Sequence, residues 1–347
     1  MKRIAHKIDS FLVQLGAKSR LAASLYYVLR GKFSREQQAV LAGKVAYKRS
    51  LSDPSINSSL LRRNIHRLEK GILMRPRRVP FGLNYIEETV DIYCKAIEAQ
   101  TDLAELAWAH DVLGTYFDIT PPDPAVDPLR ARFKSTRRPI CEPGPNGRRS
   151  PYRRQSANRP HIPYEEFLKL ARYRRSVRWY LPQTVPRDVI ERAIEVASYS
   201  PTACNRQPYE FRVFDDPKLV GRVLSIPMGT GGFGHQVPAV AVVVGKQRNY
   251  PNERDRHLIY VDGALAIMSF VYALEVQNLA SCCINWPDVE ALERRMTKLL
   301  GLSPDERPIM LVAFGYPDPD GLVADSTKKP VDILCKYNQY DDEEHNS

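Results

Sequence analysis

Two stretches decide how this chain is read: Arg174-Arg175-Ser176-Val177-Arg178 and, one helix-length later, Ser200-Pro201-Thr202-Ala203-Cys204-Asn205-Arg206-Gln207-Pro208. The first places guanidinium groups and a hydroxyl on one short segment. A phosphomonoester is close to a dianion at pH 7, and charge-assisted hydrogen bonds to it contribute on the order of 1.5–3 kcal/mol each. Positions two apart share a side of an extended strip, and positions four apart share a side of a helical turn. Arg174, Ser176 and Arg178 therefore suit one anion, although a basic pentapeptide alone is more often a solvated patch. The second stretch is stiffened by Pro201 and Pro208. Thr202 and Ala203 are small enough for backbone to approach a planar ring, and the amides of Asn205 and Gln207 both donate and accept. A polar helix-to-strand connection is the plain alternative. Read together, the two stretches describe a site for a ligand with a phosphate at one end and a polar heterocycle at the other, a description that flavin mononucleotide (FMN) fits.

The surrounding sequence has a compact α/β pattern from Pro163 onward. Pro186 opens a helix in its favoured first turn, with Ile190, Ala193, Ile194 and Ala197 on its apolar side. Residues 209–214 alternate with period two, as a half-buried strand does. Residues 238–245 (PAVAVVVG) and 308–315 (PIMLVAFG) are continuous apolar runs expected to be buried strands. Residues 260–279 predict an apolar core helix, 282–286 a short strand, and Asp288 the cap of a helix reaching Leu300.

The N-terminal half is different. Residues 1–160 carry 29 Lys+Arg against 15 Asp+Glu, and residues 161–347 carry 22 against 25. Residues 1–30 predict an amphipathic hairpin broken near Gly16, and residues 56–75 a basic helix stopped by Gly71. Arg63, Arg67 and Lys70 share one face of that helix, either as an anion site or as a solvated surface. Residues 84–117 read as one long helix. Nine prolines between 121 and 160 predict a linker or extended arm without regular helix. The expected division is a basic helical region over 1–120, a Pro/Arg-rich linker over 121–160, and a compact domain over 161–347.

RRSVRWY (174–180) and SPTACNRQPYEFRVF (200–214) resemble the two opening signatures of the nitroreductase-like FMN-dependent flavoproteins. Three further landmarks follow in the same order. Asp262-Gly263-Ala264 heads the apolar helix, residues 278–286 (NLASCCINW) resemble the strand after it, and Gly315-Tyr316-Pro317 with Lys328-Lys329-Pro330 resemble the closing element. Tyr209 stands where the family usually has Trp, and Cys204 where a small or hydroxyl residue is usual. The resemblance covers about residues 163–338. It implies an α+β fold with a mostly antiparallel central sheet flanked by helices, and an intertwined homodimer with FMN at the interface. It further implies that Arg174, Arg175, Ser176 and Arg178 hold the phosphate and ribityl end, with Lys328 or Lys329 adding a cation. Thr202, Ala203 and Asn205 would reach the ring, often from the partner subunit, with Ile284 and Asn285 beside it, and the Gln207 amide is a further candidate from its chemistry. NADH or NADPH is the implied electron donor and a small molecule the acceptor, in a cofactor-borne reaction that needs no protein nucleophile. A different flavin reaction, dehalogenation among them, or a non-catalytic docking role is the alternative.

Other features narrow the reading. The six cysteines lack metal-type spacing, no metal site is expected, and a reduced, cytoplasmic protein is the simplest reading. No secretory signal is expected at the start of the chain, and no stretch is expected to approach the roughly 18 apolar residues of a membrane span. Nucleic acid is not an expected partner. A peripheral membrane or an anionic partner is the expected use of the basic residues 1–70, beside the plain reading of a solvated basic face. The stretch Gly229-Thr230-Gly231-Gly232-Phe233-Gly234-His235 has no strand-to-helix context for a dinucleotide fingerprint. It reads as a mobile loop on the substrate side or as a plain surface loop.

Overall fold

The computed structural model describes residues 2–141 and 147–339. Pro143, Pro145 and the acidic run Asp341-Asp342-Glu343-Glu344 lie outside the described residues. The chain opens with two helices, α1 (Lys2–Lys18) and α2 (Arg20–Arg30). The break falls at Ser19, not Gly16, because the Ser19 hydroxyl accepts from the Ala22 N–H and starts the second helix.

Next come α3 (Ser34–Ser50), α4 (Ser59–Leu73), α5 (Ile86–Glu98), α6 (Leu103–Ile119) and α7 (Asp127–Ser135). Their apolar faces close one core containing Leu61, Ile65, Leu68, Val90, Tyr93, Leu113 and Tyr116. Three expectations are corrected here. Helix α4 runs through Gly71, whose missing side chain makes room for Phe81: a Cβ there would lie 2.0 Å from the ring. The single helix over 84–117 is two helices, since Gln100 turns left-handed and the Asp102 carboxylate caps α6 on the Glu105 N–H. The proline-rich stretch contains α7, with Pro128 in the first turn, where it needs no helical partner for its nitrogen.

The second body contains α8 (Tyr164–Tyr173), α9 (Arg187–Ser198), β1 (Tyr209–Phe214), α10 (Pro217–Leu224), β2 (Ala239–Lys246), α11 (Leu258–Glu275), β3 (Ala280–Asn285), α12 (Glu290–Leu300), β4 (Glu306–Gly315) and α13 (Val331–Leu334). The sheet is antiparallel throughout, in the order β1-β2-β4-β3. Both of its faces are covered. Val240, Val242 and Val244 point to one core with Val220, Val223 and Met296, and Ala239, Ala241 and Val243 to another with Ala193, Ala266 and Phe270. That double burial explains why β2 reads as an unbroken apolar run. Pro308 is tolerated in β4 because the β2–β4 register shifts between Val243 and Val244.

Two details differ from the sequence reading. Asp288 does not cap α12; its carboxylate takes Arg307 at 3.0 Å, and the α12 cap is Val289. The segment Glu253–Glu275 is long and apolar enough to cross a membrane, contrary to expectation. Its residues Ile259, Ala266, Ile267, Phe270, Val271 and Leu274 are buried in the protein core.

Helices α3 and α4 dock the helical body onto the sheet body. A Cβ at Gly43 would meet the Gln247 backbone at 2.7 Å, so the glycine permits the close approach of α3. Asn57 Nδ2 donates to the Arg248 carbonyl at 2.6 Å.

Candidate functional site

The arginine segment lies along the open edge of β3. Ser176 forms a bridge with Ser281, the Val177 N–H donates to the Ser281 carbonyl at 3.0 Å, and the Leu181 N–H donates to the Tyr316 carbonyl at 2.9 Å. Tyr180, buried beneath, donates its hydroxyl to the Val177 carbonyl at 2.7 Å. Burial holds that phenol well above its usual pKa, so it stays a donor.

Arg174, Arg175, Ser176 and Arg178 line a cavity of about 100 Å³ together with Ala324, Ser326 and Lys328 from the C-terminal arm. Lys329 is not among the lining residues. Among the described residues no carboxylate lies within 4.0 Å of these three guanidiniums or of Lys328, and no acidic side chain lines the cavity. The Arg174 Nε is buried without a hydrogen-bond partner. Unneutralised cations around a small hollow fit a phosphate, and an orphaned buried N–H fits an absent acceptor.

Cys283 and Asn285 point to the exposed side of β3, while Cys282 and Ile284 point into the core. Burial pushes the Cys282 thiol up from its usual pKa, which disfavours the reactive thiolate. All six cysteines are unpaired.

The second stretch forms a tight loop at the start of α11. Cys204, Asn205 and Gln207 have φ of 54°, 52° and 47°, a left-handed conformation that is uncommon outside glycine and asparagine. Several bonds hold it. The Ala203 N–H donates to Asp262 Oδ2 at 3.1 Å, and the Tyr250 hydroxyl donates to the same oxygen at 2.7 Å. Burial raises the Asp262 pKa, opposed by those two bonds and by Arg206. Thr202 Oγ1 accepts the Gln207 N–H at 3.1 Å. The Gln207 amide is committed to the protein at both ends: Nε2 donates to the Ser198 carbonyl at 3.0 Å, and Oε1 accepts from Arg62 at 3.0 Å. It therefore helps hold the loop, with one N–H and one oxygen lone pair of the amide left uncommitted by these bonds.

Arg62 is the residue that reading missed. Its Nε donates to the Asn205 carbonyl at 2.6 Å, and its Nη1 pairs with Glu105 at 2.7 Å. On a helical wheel Arg63, Arg67 and Lys70 group together while Arg62 lies off to one side, and no local signal marks it. The grouped cations do not form an anion face. Arg67 stacks on the Tyr85 ring at 3.6 Å, Arg63 acts on the Tyr47 phenol, and Lys70 is exposed.

The arginine cluster and the loop sit at opposite ends of α11. The loop bonds to Asp262 near the start, and Arg174 lies close enough to Glu275, at the end, to oppose the burial that raises its pKa. At the helical rise, Asp262 and Glu275 are roughly 20 Å apart. The glycine-rich stretch borders the cluster and is anchored. Thr230 and Phe233 are buried, Thr230 Oγ1 donates to the Leu224 carbonyl at 2.7 Å, and Gln236 Oε1 accepts the Tyr180 N–H at 2.8 Å.

The Nitroreductase family model matches residues 171–230 and 222–316, which span both parts of this site. That stretch, under half of the chain, is nitroreductase-like. Proteins similar to this chain include the iodotyrosine deiodinase 1 of Pongo abelii, 24% identical over 195 residues that make up 49% of this chain and 67% of the relative. A protein of Archaeoglobus fulgidus named "Putative NADH dehydrogenase/NAD(P)H nitroreductase" is 28% identical over 161 residues, 44% of this chain and 86% of the relative. Among solved structures, an FMN-dependent nitroreductase from Clostridium difficile aligns at 16% identity and a TM-score of 0.43, covering 50% of this chain and 99% of its own. The family match leaves residues 1–170, the helical body and the segment that joins it to the sheet body, outside it.

Proposed function

We propose that this chain is an FMN-dependent oxidoreductase that carries reducing equivalents from NADH or NADPH to a small-molecule acceptor. The observation that carries the reading is the carboxylate-free cluster of Arg174, Arg175, Arg178 and Lys328 around a phosphate-sized hollow, with the Arg174 Nε unpartnered. Bound FMN would supply two-electron redox chemistry that no side chain of the site offers. The arginines and Ser176 would hold its phosphate, and the loop of Thr202, Ala203 and Asn205 would present backbone and small side chains to its ring. Because cluster and loop lie at opposite ends of α11, the working site joins the cluster of one subunit to the loop of a second copy. The outward residues Val261, Leu265 and Met268 of α11, with Val276 just after it, form an exposed apolar stripe that suits this homodimer.

The test is direct. The purified protein is expected to be yellow, to release FMN on denaturation, and to oxidise NADH or NADPH in the presence of a quinone or nitroaromatic. A colourless protein that does not take up FMN would overturn the proposal. A second reading, reductive dehalogenation of an aromatic substrate, is favoured by the iodotyrosine deiodinase relatives. Iodide release from iodotyrosine by the chemically reduced protein, without turnover of either nicotinamide, would select it.

A further inference from the structure

The hairpin of α1 and α2 has no role in the flavin reading, and its surface is unlike the rest of the helical body. No residue of α2 is buried. Leu21, Leu25, Val28 and Leu29 are 82%, 58%, 72% and 77% exposed. Their spacing puts all four on one side of the helix. The opposite side, with Tyr26, meets α1, where the Tyr26 hydroxyl donates to Asp9 at 3.0 Å. Phe11 and Leu15 of α1 are also exposed. Beyond the left-handed Gly31 cap the apolar surface continues through exposed Phe33 to Leu41 and Val45 on the outside of α3. Exposed apolar patches of this kind mark interaction surfaces.

The charge around the patch says which kind. Residues 1–32 contain seven Lys+Arg and one Asp. Lys18 and Arg20 are exposed at the α1–α2 turn, and Lys32 lies exposed just beyond the far end of α2, where Arg30 pairs with Asp9. Basic residues thus bracket the leucine stripe at both ends, the pattern of an interfacial helix lying in a headgroup layer. The basic helix α4 is not a competing surface, because Arg62 and Arg67 are turned onto Asn205, Glu105 and Tyr85.

We propose that the α1–α2 hairpin seats this protein on an anionic lipid surface, with Leu21, Leu25, Val28 and Leu29 entering the interface and Lys18, Arg20 and Lys32 meeting the headgroups. The inference does not depend on FMN, since the hairpin lies outside the cluster and the loop.

The experiment is co-sedimentation of the full-length protein with phosphatidylcholine vesicles, with and without 30 mol% phosphatidylglycerol. Binding is expected to be at least tenfold stronger to the anionic vesicles and to weaken severalfold between 50 and 500 mM salt. The double variant Leu25→Glu/Leu29→Glu is expected to lose vesicle binding while keeping the wild-type circular dichroism and melting temperature. Failure of the wild-type protein to bind anionic vesicles at low salt overturns the proposal, as does equal binding by the double variant. A lipid-free change to a smaller oligomer in that variant would also overturn it, because the face would then belong to a second copy of the chain.

Discussion

The Arg62 guanidinium on α4 donates to the main-chain carbonyl of Asn205 at 2.6 Å, across 143 residues of sequence. The same group reaches the Gln207 amide and is fixed by Glu105, which also accepts from the Ser58 hydroxyl at 3.0 Å. One rigid fork thus links the helical body to the loop that faces the proposed flavin ring. Left-handed non-glycine residues cost about 1 kcal/mol or more each and persist where the surroundings over-determine them. Cys204, Asn205 and Gln207 are such residues, and Arg62 is part of what holds them.

Arg62→Lys keeps the charge but loses the planar fork. Loss of one charge-assisted hydrogen bond corresponds to roughly a tenfold or larger rise in the FMN dissociation constant. Titration of apoprotein against FMN fluorescence measures it, with the thermal melt as a control for the helical body. An unchanged constant would separate the helical body from flavin binding.

Arg174→Ala and Arg178→Ala each remove a lining cation from the phosphate hollow. Each is expected to weaken FMN binding by about 10–100-fold. Lys329→Ala, outside the lining, is expected to leave it within about twofold. Equal losses in all three variants would point to a diffuse charge effect in place of the hollow.

Gly71→Ala tests a position where propensity and packing disagree. In an exposed helix the change stabilises by about 1 kcal/mol. Here the added methyl meets the Phe81 ring, which is itself packed edge-on against Tyr116 at 5.1 Å. Net destabilisation of about 1–3 kcal/mol is expected, read as a lower melting temperature. A rise in melting temperature would show that the ring moves freely.

Glu210 gives a pH signature. Burial alone would raise its carboxyl pKa, but ion pairs with Lys246 and Arg212 outweigh that and hold it below the usual value. A depressed carboxylate stabilises the fold above its unfolded pKa, and the contribution is lost as pH falls through the lower folded value. Glu210→Gln is expected to cost about 0.5–1 kcal/mol at pH 7, after allowance for partial exposure. The difference from wild type should shrink as pH falls below the ordinary glutamate range, in denaturant titrations at pH 7 and in acid. A constant difference across that range would assign the effect to packing.

The strands were legible because each satisfies a local rule. Residues 238–245 and 308–315 are apolar on both faces, as strands between two helical layers must be, and residues 209–214 show an alternating pattern in sequence. The arginine segment and the proline-bracketed loop stood out as residue types in short order. Misreadings arose where a distant partner overrides the local signal. Gly71 looked like a stop until Phe81 was packed on it, and Asp288 looked like a cap until Arg307 took its carboxylate. Pro128 and Asp102 carried correct local signals, a first-turn proline and a capping carboxylate, that the proline density and the apolar run around them obscured.

The sequence by itself determined the strands and core helix of the sheet body and the short motifs whose resemblance implied the antiparallel α+β class, because strand and helix periods and short motifs are encoded within a few residues of one another. Only the tertiary structure decided that the cluster and the loop lie at opposite ends of α11, and that Arg62 belongs to the loop and not to a basic face. It also decided that α2 keeps its leucines uncovered. Those facts depend on which faces pack together over long separations in sequence, and the local pattern leaves that choice to the packing of the whole chain.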